Sequence, residues 1–208
     1  MMRSIVAAGL SLCWILASGA QLSASSLDVA LGKPVTLNGS FPVFTYPGNL
    51  CGVNPPQGAA SLVTDGVFAP DQACFQGNTV YWNGLDNSID IDLQGTFLIN
   101  GAIVQADDND SYELQYRDVG GVYHNWYDVP VSCCFGMTTR PDDSDNTVQQ
   151  NLPPVLATGL RLFATGGDNY YAVSEVQVFT PEPASVVLVA LGLAAAGGFK
   201  WRRRRAAR

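Results

Sequence analysis

Residues 88–93, SIDIDL, alternate apolar and acidic side chains with a period of two, Ile89, Ile91 and Leu93 interleaved with Asp90 and Asp92. A helix would scatter the two sets around its axis, whereas a strand puts the apolar set on one face and the carboxylates in water. The same alternation returns at Tyr112, Leu114 and Tyr116, at Leu160 and Leu162, and at Val176 and Val178. Turn clusters such as DDND and GGDN separate the runs, and no part of the middle of the chain sustains a 3.6-residue period. Short strands separated by turns bury their apolar faces only by stacking in two layers, so an all-β, antiparallel β-sandwich is expected. Composition agrees: charged residues make up 14% of the chain, and its 21 glycines and 12 prolines suit turns better than long helices.

Both ends stand apart from this pattern. The first 20 residues combine Arg3, an uncharged apolar run from Ile5 to Ala17, and small residues at Ser18 and Ala20. That order of cation, apolar core and small residues is the order of a secretory signal peptide, cleaved after Ala20 or Ala24. Cys13 follows Leu12, where a lipoprotein signal would carry a small residue, so no lipid is expected there. At the other end Ala184 to Phe199 carry no charge, and Lys200, Trp201 and Arg202, Arg203, Arg204 and Arg205 follow. A snorkelling lysine and an interfacial tryptophan extend this run to a transmembrane helix. The arginines hold its far end in the cytoplasm, which leaves everything between the two apolar segments outside, N-out and C-in.

This tail, with Pro181, Glu182 and Pro183 ahead of the apolar stretch and the arginine cluster behind it, resembles the PEP-CTERM sorting signal of Gram-negative bacteria that make extracellular polysaccharide. Thr180 stands where many members have Val. The resemblance implies recognition at Pro181, Glu182 and Pro183 by an exosortase-type processing enzyme. It also implies anchoring in the inner membrane before processing, and then delivery to the cell surface or extracellular matrix. A plain membrane anchor would share the topology and differ in keeping the tail.

Between Gln21 and Thr180 only four basic residues, Lys33, Arg117, Arg140 and Arg161, face 17 acidic ones, a balance of −13. So acidic a domain repels phosphate backbones, which excludes nucleic acid as a partner, and suits divalent cations and neutral sugars. At this size it buries enough surface to fold as one domain. Its four cysteines, Cys51, Cys74, Cys133 and Cys134, are those of an exported protein that forms disulfides. Cys51 with Cys74 is the favoured pair because both lie in one Gly/Pro-rich stretch. That leaves Cys133 and Cys134 as a vicinal pair or as thiols, and the crossed pairings stay open. Zinc is disfavoured by adjacent cysteines, a single histidine and the lack of CxxC.

Taken in order, DVALGKPVTLNGSF, the Thr64–Gly66 TDG, the Thr79–Trp82 TVYW, IDIDL, YELQYRD and LRLFATGGDNYYAVSEVQVF resemble the galactose-binding-like jelly roll of discoidin and coagulation factor type C domains. The resemblance spans residues 27–179 and precedes the sorting segment at 181–205. It departs in a long insertion at 130–154 and in lacking the disulfide that ties the ends of vertebrate members. It implies one structural calcium, held by Asp65, Thr79 and Glu175 with backbone carbonyls, a set of hard oxygens of the kind calcium takes. It also implies a sugar site on the loops at one end of the sandwich, where a ring stacks on a pyranose. The matching candidates are Tyr170 and Tyr171 with Asp168 and Asn169, joined by Tyr46 and Asn49 from an early loop.

Other residues point to bland roles. Trp82 and Trp126 are expected in the core. Asp107, Asp108 and Asp110, and Asp142, Asp143 and Asp145, lack the glycine of an EF-hand bend and are expected in solvated loops. Arg140 is the best available cation for an acidic sugar. His124, the sole histidine, has neither GxSxG nor HExxH near it, and paired glycosidase carboxylates are not readable from the sequence. Noncatalytic binding of a glycan in exopolysaccharide or biofilm is therefore expected. A structural matrix or adhesion component without a sugar pocket is the alternative, favoured if both tyrosines prove buried, and a hydrolase is less favoured.

Overall fold

The computed structural model describes residues 26–133 and 135–181, and residues 26–181 belong to one compact unit. The signal peptide, Cys134, Glu182, Pro183, the apolar tail segment and Arg202–Arg205 lie outside the described residues. Among the described residues no helix is long and apolar enough to cross a membrane.

Among the described residues eight strands carry the fold: β1 (Val35–Asn38), β2 (Val80–Asn83), β3 (Ser88–Asp107), β4 (Ser111–Arg117), β5 (Tyr123–Val129), β6 (Met137–Arg140), β7 (Gln150–Gly166) and β8 (Tyr170–Phe179). All pairings are antiparallel, in the order β2-β8-β3-β7-β4-β5, with β1 and β6 also paired to β3. The SIDIDL segment opens β3, the longest strand, and serves one layer: Ile89 to Ile91 pair with β1, and Ile89 to Asp92 with the C-terminal half of β7. A register break between Asp92 and Phe97, with Gln94 at φ 56°, bends the strand. Its second half then pairs with β8 and β6 in the other layer. Bulges of this kind fold a sheet over on itself, and the antiparallel β-sandwich expected from the alternation results.

One continuous core fills the space between the layers. Ile89, Ile91 and Leu93 of β3, Tyr112 and Leu114 of β4, Leu160 and Leu162 of β7 and Val176 and Val178 of β8 all pack into it, as does Trp82, and Trp126 closes one side. The chain ends meet where Val29 N donates to Val178 O at 2.8 Å and Thr180 N to Leu27 O at 3.1 Å.

A second, smaller core lies on the outside of the β2–β8–β3 layer. The long excursion between β1 and β2 lies over Tyr81, Ala172 and Met137 and inserts Phe75, Phe44 and Tyr46 against them. Cys51 and Cys74, the pair favoured from the sequence, staple this excursion by a disulfide with Cα atoms 5.5 Å apart. Cys133 is disulfide-bonded as well.

Candidate functional site: an aromatic ledge over buried carboxylates

Strand alternation decides the fate of the two adjacent tyrosines. In the β2–β8 ladder Tyr171 lies opposite Trp82 and Tyr170 opposite Asn83. Tyr171 therefore turns into the main core, 2% exposed, with its ring 5.8 Å from Trp82 and 6.2 Å from Tyr112. Its assignment to the sugar site is corrected by this burial. Tyr170 turns outward and stays half-buried. Only one of the pair is buried, so the condition that favoured a pocketless matrix protein is not met.

Tyr170 meets Tyr46 edge to face at 4.9 Å and Phe44 at 5.5 Å, and Tyr46 packs on Phe75 at 5.1 Å. Such tilted and T-shaped pairs are worth about 0.5–1.5 kcal/mol each beyond burial, which fixes the rings as a platform. Asp168, exposed in the β7–β8 turn, secures both tyrosines. Its Oδ2 accepts the Tyr46 hydroxyl at 3.1 Å, and its Oδ1 accepts the Tyr170 backbone N–H at 2.9 Å. Asn169 takes φ 77° to make the turn, and its carbonyl accepts Gly84 N at 3.3 Å. Asn49 is exposed at φ 58° in the early loop, where its N–H donates to the Tyr46 carbonyl at 3.0 Å. Four of the six predicted sugar-site residues thus lie in these two loops with Tyr170 opening β8 beside them, and the Tyr46–Asp168 bond joins the loops.

Beneath the ledge lies a feature the sequence reading misplaced. Asp107, Asp108 and Asp110, expected in a solvated loop, are 2%, 0% and 0% exposed. The cause is the start of the 130–154 insertion, which folds over the β3–β4 turn. Ser132 N and Cys133 N donate to the Asp108 carbonyl at 2.8 and 3.3 Å, and Asp108 N donates to the Gly136 carbonyl at 2.9 Å. Burial, reinforced by Asp110, Asp108 and Asp168, pushes the Asp107 carboxyl up to about 8. Burial also lifts Asp110 to about 7, against the Asp168 N–H, which donates to its Oδ1 at 3.2 Å. Gly167, at φ 142°, is required here, because a Cβ at that position would run into the Asp110 carboxylate.

Arg140 belongs to the same buried group and cannot serve an acidic sugar as expected from the sequence. It is 2% exposed, and its guanidinium donates to the carbonyls of Ala106 at 3.0 Å and Asp107 at 2.8 Å and to Thr138 Oγ1 at 2.7 Å. Asp142 and Asp145, by contrast, sit in surface turns that their own carboxylates cap.

The calcium candidates come together in part. Glu175 is fully buried, and both its oxygens accept Gly66 N at 3.2 Å. Burial pushes its carboxyl up to about 8, with Asp65 and Asp28 adding to the rise and the Gly66 N–H opposing it. Asp65 caps the turn after residues 60–64 by accepting Val67 N at 2.9 Å. Thr79 is also buried, but its hydroxyl donates to the Phe75 carbonyl. Among the described residues no three His, Cys, Asp or Glu side chains converge on one metal position, so a cation here would rest on two carboxylates and backbone oxygens. His124 is exposed on β5, bonded to Asp118 at 2.8 Å and stacked on Tyr116.

In sequence alone the chain matches no curated protein. In structure it is similar to a module of Clostridium perfringens solved with GalNAc-β-1,3-galactose, at TM-score 0.49 and 18% identity over 75% of this chain and 100% of that one. It is similar also to the family 32 carbohydrate-binding module of Streptococcus pneumoniae EndoD, at TM-score 0.46 and 13% identity over 76% and 100%. A third is chitosan-binding module 1 of a chitosanase/glucanase from Paenibacillus sp. IK-5, at TM-score 0.45 and 16% identity over 73% and 98%. Residues 179–205 match the PEP-CTERM protein-sorting motif. The chain is an exported protein that carries a PEP-CTERM sorting motif at residues 179–205, and its described residues form an antiparallel β-sandwich.

Proposed function

We propose that this protein is a noncatalytic glycan-binding module of the exopolysaccharide or biofilm matrix, and that it takes its sugar on the ledge of Tyr46 and Tyr170 beside Asp168. The observation that carries the reading is the double grip of Asp168 on the ledge. It holds two rings, both partly exposed, in a fixed edge-to-face pair at the mouth of two loops. A preorganised ring with acceptors alongside is what a pyranose needs, an apolar face to stack on and partners for its hydroxyls. Arg140, the cation expected to meet an acidic sugar, is buried, so a neutral glycan fits better than an acidic one.

Calcium belongs to the same proposal. Glu175, buried beside Asp65 and Asp28, is an arrangement that a divalent cation would relieve, and turn carbonyls around residues 64–66 would complete its oxygens. Release or transfer by an exosortase-type enzyme at Pro181, Glu182 and Pro183 would then place the module in the matrix.

A glycan array probed with the purified protein, with calcium and with chelator and including matrix polysaccharide, tests the reading. Binding that Tyr170→Ala weakens at least tenfold supports it, and silence across the array from a folded sample rejects it.

A further inference from the structure

A second concave site shares no lining residue with the ledge and lies where the insertion meets β5 and β7. It is a cavity of about 450 Å³, inside the ~300–1,000 Å³ range of small-molecule pockets. Trp126 and Tyr127 from β5 and Pro130, Pro141 and Leu152 from the insertion give it rigid apolar walls. Asp128 and Gln150 are its polar members.

The hydrogen bonds around the cavity show what remains for a ligand. Trp126 spends its one donor on the Pro153 carbonyl at 3.0 Å, so the indole offers the cavity ring surface alone. Asp128 Oδ1 accepts Asn125 Nδ2 at 2.9 Å, which leaves Oδ2 to accept a hydroxyl. Gln150 donates through Nε2 to the Asn151 carbonyl at 3.2 Å, which leaves Oε1 and a second amide hydrogen. Flat apolar walls with one carboxylate and one amide match a pyranose, whose C–H face is apolar and whose rim carries hydroxyls. Asp128 is the sole charged residue of the lining, and it repels phosphorylated and acidic sugars.

We propose that this cavity is a second glycan subsite, specific for neutral pyranose units and built by the 130–154 insertion. It is separate from the Tyr46–Tyr170 ledge and does not depend on it. Two sites on one module would let a single polysaccharide chain, or two neighbouring ones, be held at once, so that avidity exceeds either affinity.

The test is a ligand-observed saturation-transfer NMR titration of the full-length protein with methyl β-D-glucopyranoside and methyl β-D-galactopyranoside. It is repeated with Tyr170→Ala, and with Tyr170→Ala combined with Gln150→Ala or with Leu152→Arg. Gln150 is only partly buried, so its variant should melt close to the parent; Leu152 also packs against the main core, so its variant is read only where its melt shows a folded protein, and Gln150→Ala carries the test otherwise. The expected result is saturable binding that Tyr170→Ala reduces without abolishing, that weakens about a further tenfold with Gln150→Ala through loss of one hydrogen-bonding group, and that vanishes with Leu152→Arg. Binding that is complete in the parent and absent in Tyr170→Ala overturns the second subsite and leaves the ledge standing. Binding unaffected by Tyr170→Ala but lost with Leu152→Arg places the only glycan site in the cavity and rejects the ledge. Binding of a proline-rich decapeptide, with no pyranoside bound by Tyr170→Ala, also overturns the proposal.

Discussion

The hydroxyl of Tyr46 donates to Asp168 Oδ2 at 3.1 Å, joining two loops that are 122 positions apart in sequence. The bond leaves the faces of the two ledge tyrosines presented at an angle fixed by their 81° tilt. In the proposed site it would make Asp168 a positioning residue, with the ring of Tyr170 as the main contact.

Three substitutions separate these roles. Tyr170→Ala should lower glycan affinity at least tenfold and also lower Tm, though less than a core truncation, because the half-exposed ring pairs with Tyr46 and Phe44. Tyr46→Phe keeps a ring and loses one exposed hydrogen bond, so the affinity should fall less, by about 0.5–1.5 kcal/mol. Tyr171→Ala empties a core position between Trp82 and Tyr112 and should cost about 3–5 kcal/mol of stability. Array binding and thermal melts of the three variants check this. A Tyr171→Ala protein as stable as the parent would contradict its place in the core.

The buried carboxyls predict how stability depends on pH. Asp107 and Glu175 are held at about 8 and Asp110 at about 7, against ordinary values of 3.8 for Asp and 4.5 for Glu. The folded protein therefore holds these protons more tightly than the unfolded chain. Their contribution is complete below about pH 4, is lost as pH rises towards 8, and changes no further above that. Each group alone gives a slope approaching about 1.4 kcal/mol per pH unit in the steep region. Asp142 and Asp145, lowered by their Ser144 and Thr147 hydroxyls, act in the opposite sense, below pH 4. Denaturant melts from pH 4 to 9 should show falling stability, and Asp107→Asn should flatten the curve. A stability that rises between pH 5 and 8 would reject the burial of this cluster.

What was legible in the sequence follows the range of the forces involved. The strands of the main core announce themselves because alternation is local, and Ile89, Ile91 and Leu93 face inward as their spacing requires. Alternation also shows that Tyr170 and Tyr171 point opposite ways, but only the register against Trp82 and Asn83 decides which one is outside. The acids of the β3–β4 turn could not be placed, because DDND reads as solvated until Ser132, Cys133 and Gly136 close over it through backbone bonds to Asp108. The second core was invisible for a similar reason. Phe44, Tyr46 and Phe75 lie in irregular chain with no period, and contacts with Tyr81 and Ala172 far along the sequence bury them. The cavity at Trp126 combines a strand with an insertion and carries no motif.

The Cys51–Cys74 disulfide closes a loop with a sequence separation of 23. In the chain-entropy account a loop of that length stabilises by about 3 kcal/mol. The loop borders Tyr46 and contains no strand of its own, so its order depends on the staple and on the small aromatic core. Replacing both cysteines by serine should lower stability by that amount and weaken glycan binding on the ledge, while leaving the pyranoside binding of the Trp126 cavity intact. Calorimetry and the same NMR titration read both effects. An unchanged ledge affinity in the serine variant would show that the aromatic packing alone positions Tyr46.

Glu175 supplies the sharpest test of the cation. Without metal, deprotonating Glu175 as pH passes about 8 sets a buried charge beside Asp65 and Asp28, which opposes folding. Calcium bound to the native state would reverse this, stabilising it by RT ln(1 + [Ca]/Kd), about 2.7 kcal/mol at a hundredfold excess over Kd. Because the cation favours the ionised carboxylate, its effect on Tm should be larger at pH 8 than at pH 6. Glu175→Gln keeps the shape and one oxygen, removes the pH-dependent cost, and should abolish most of the calcium response while raising stability at pH 9 in chelator. A calcium-induced rise in Tm that persists in Glu175→Gln would move the cation elsewhere on this acidic surface, and no rise in the parent at either pH would remove calcium from the protein.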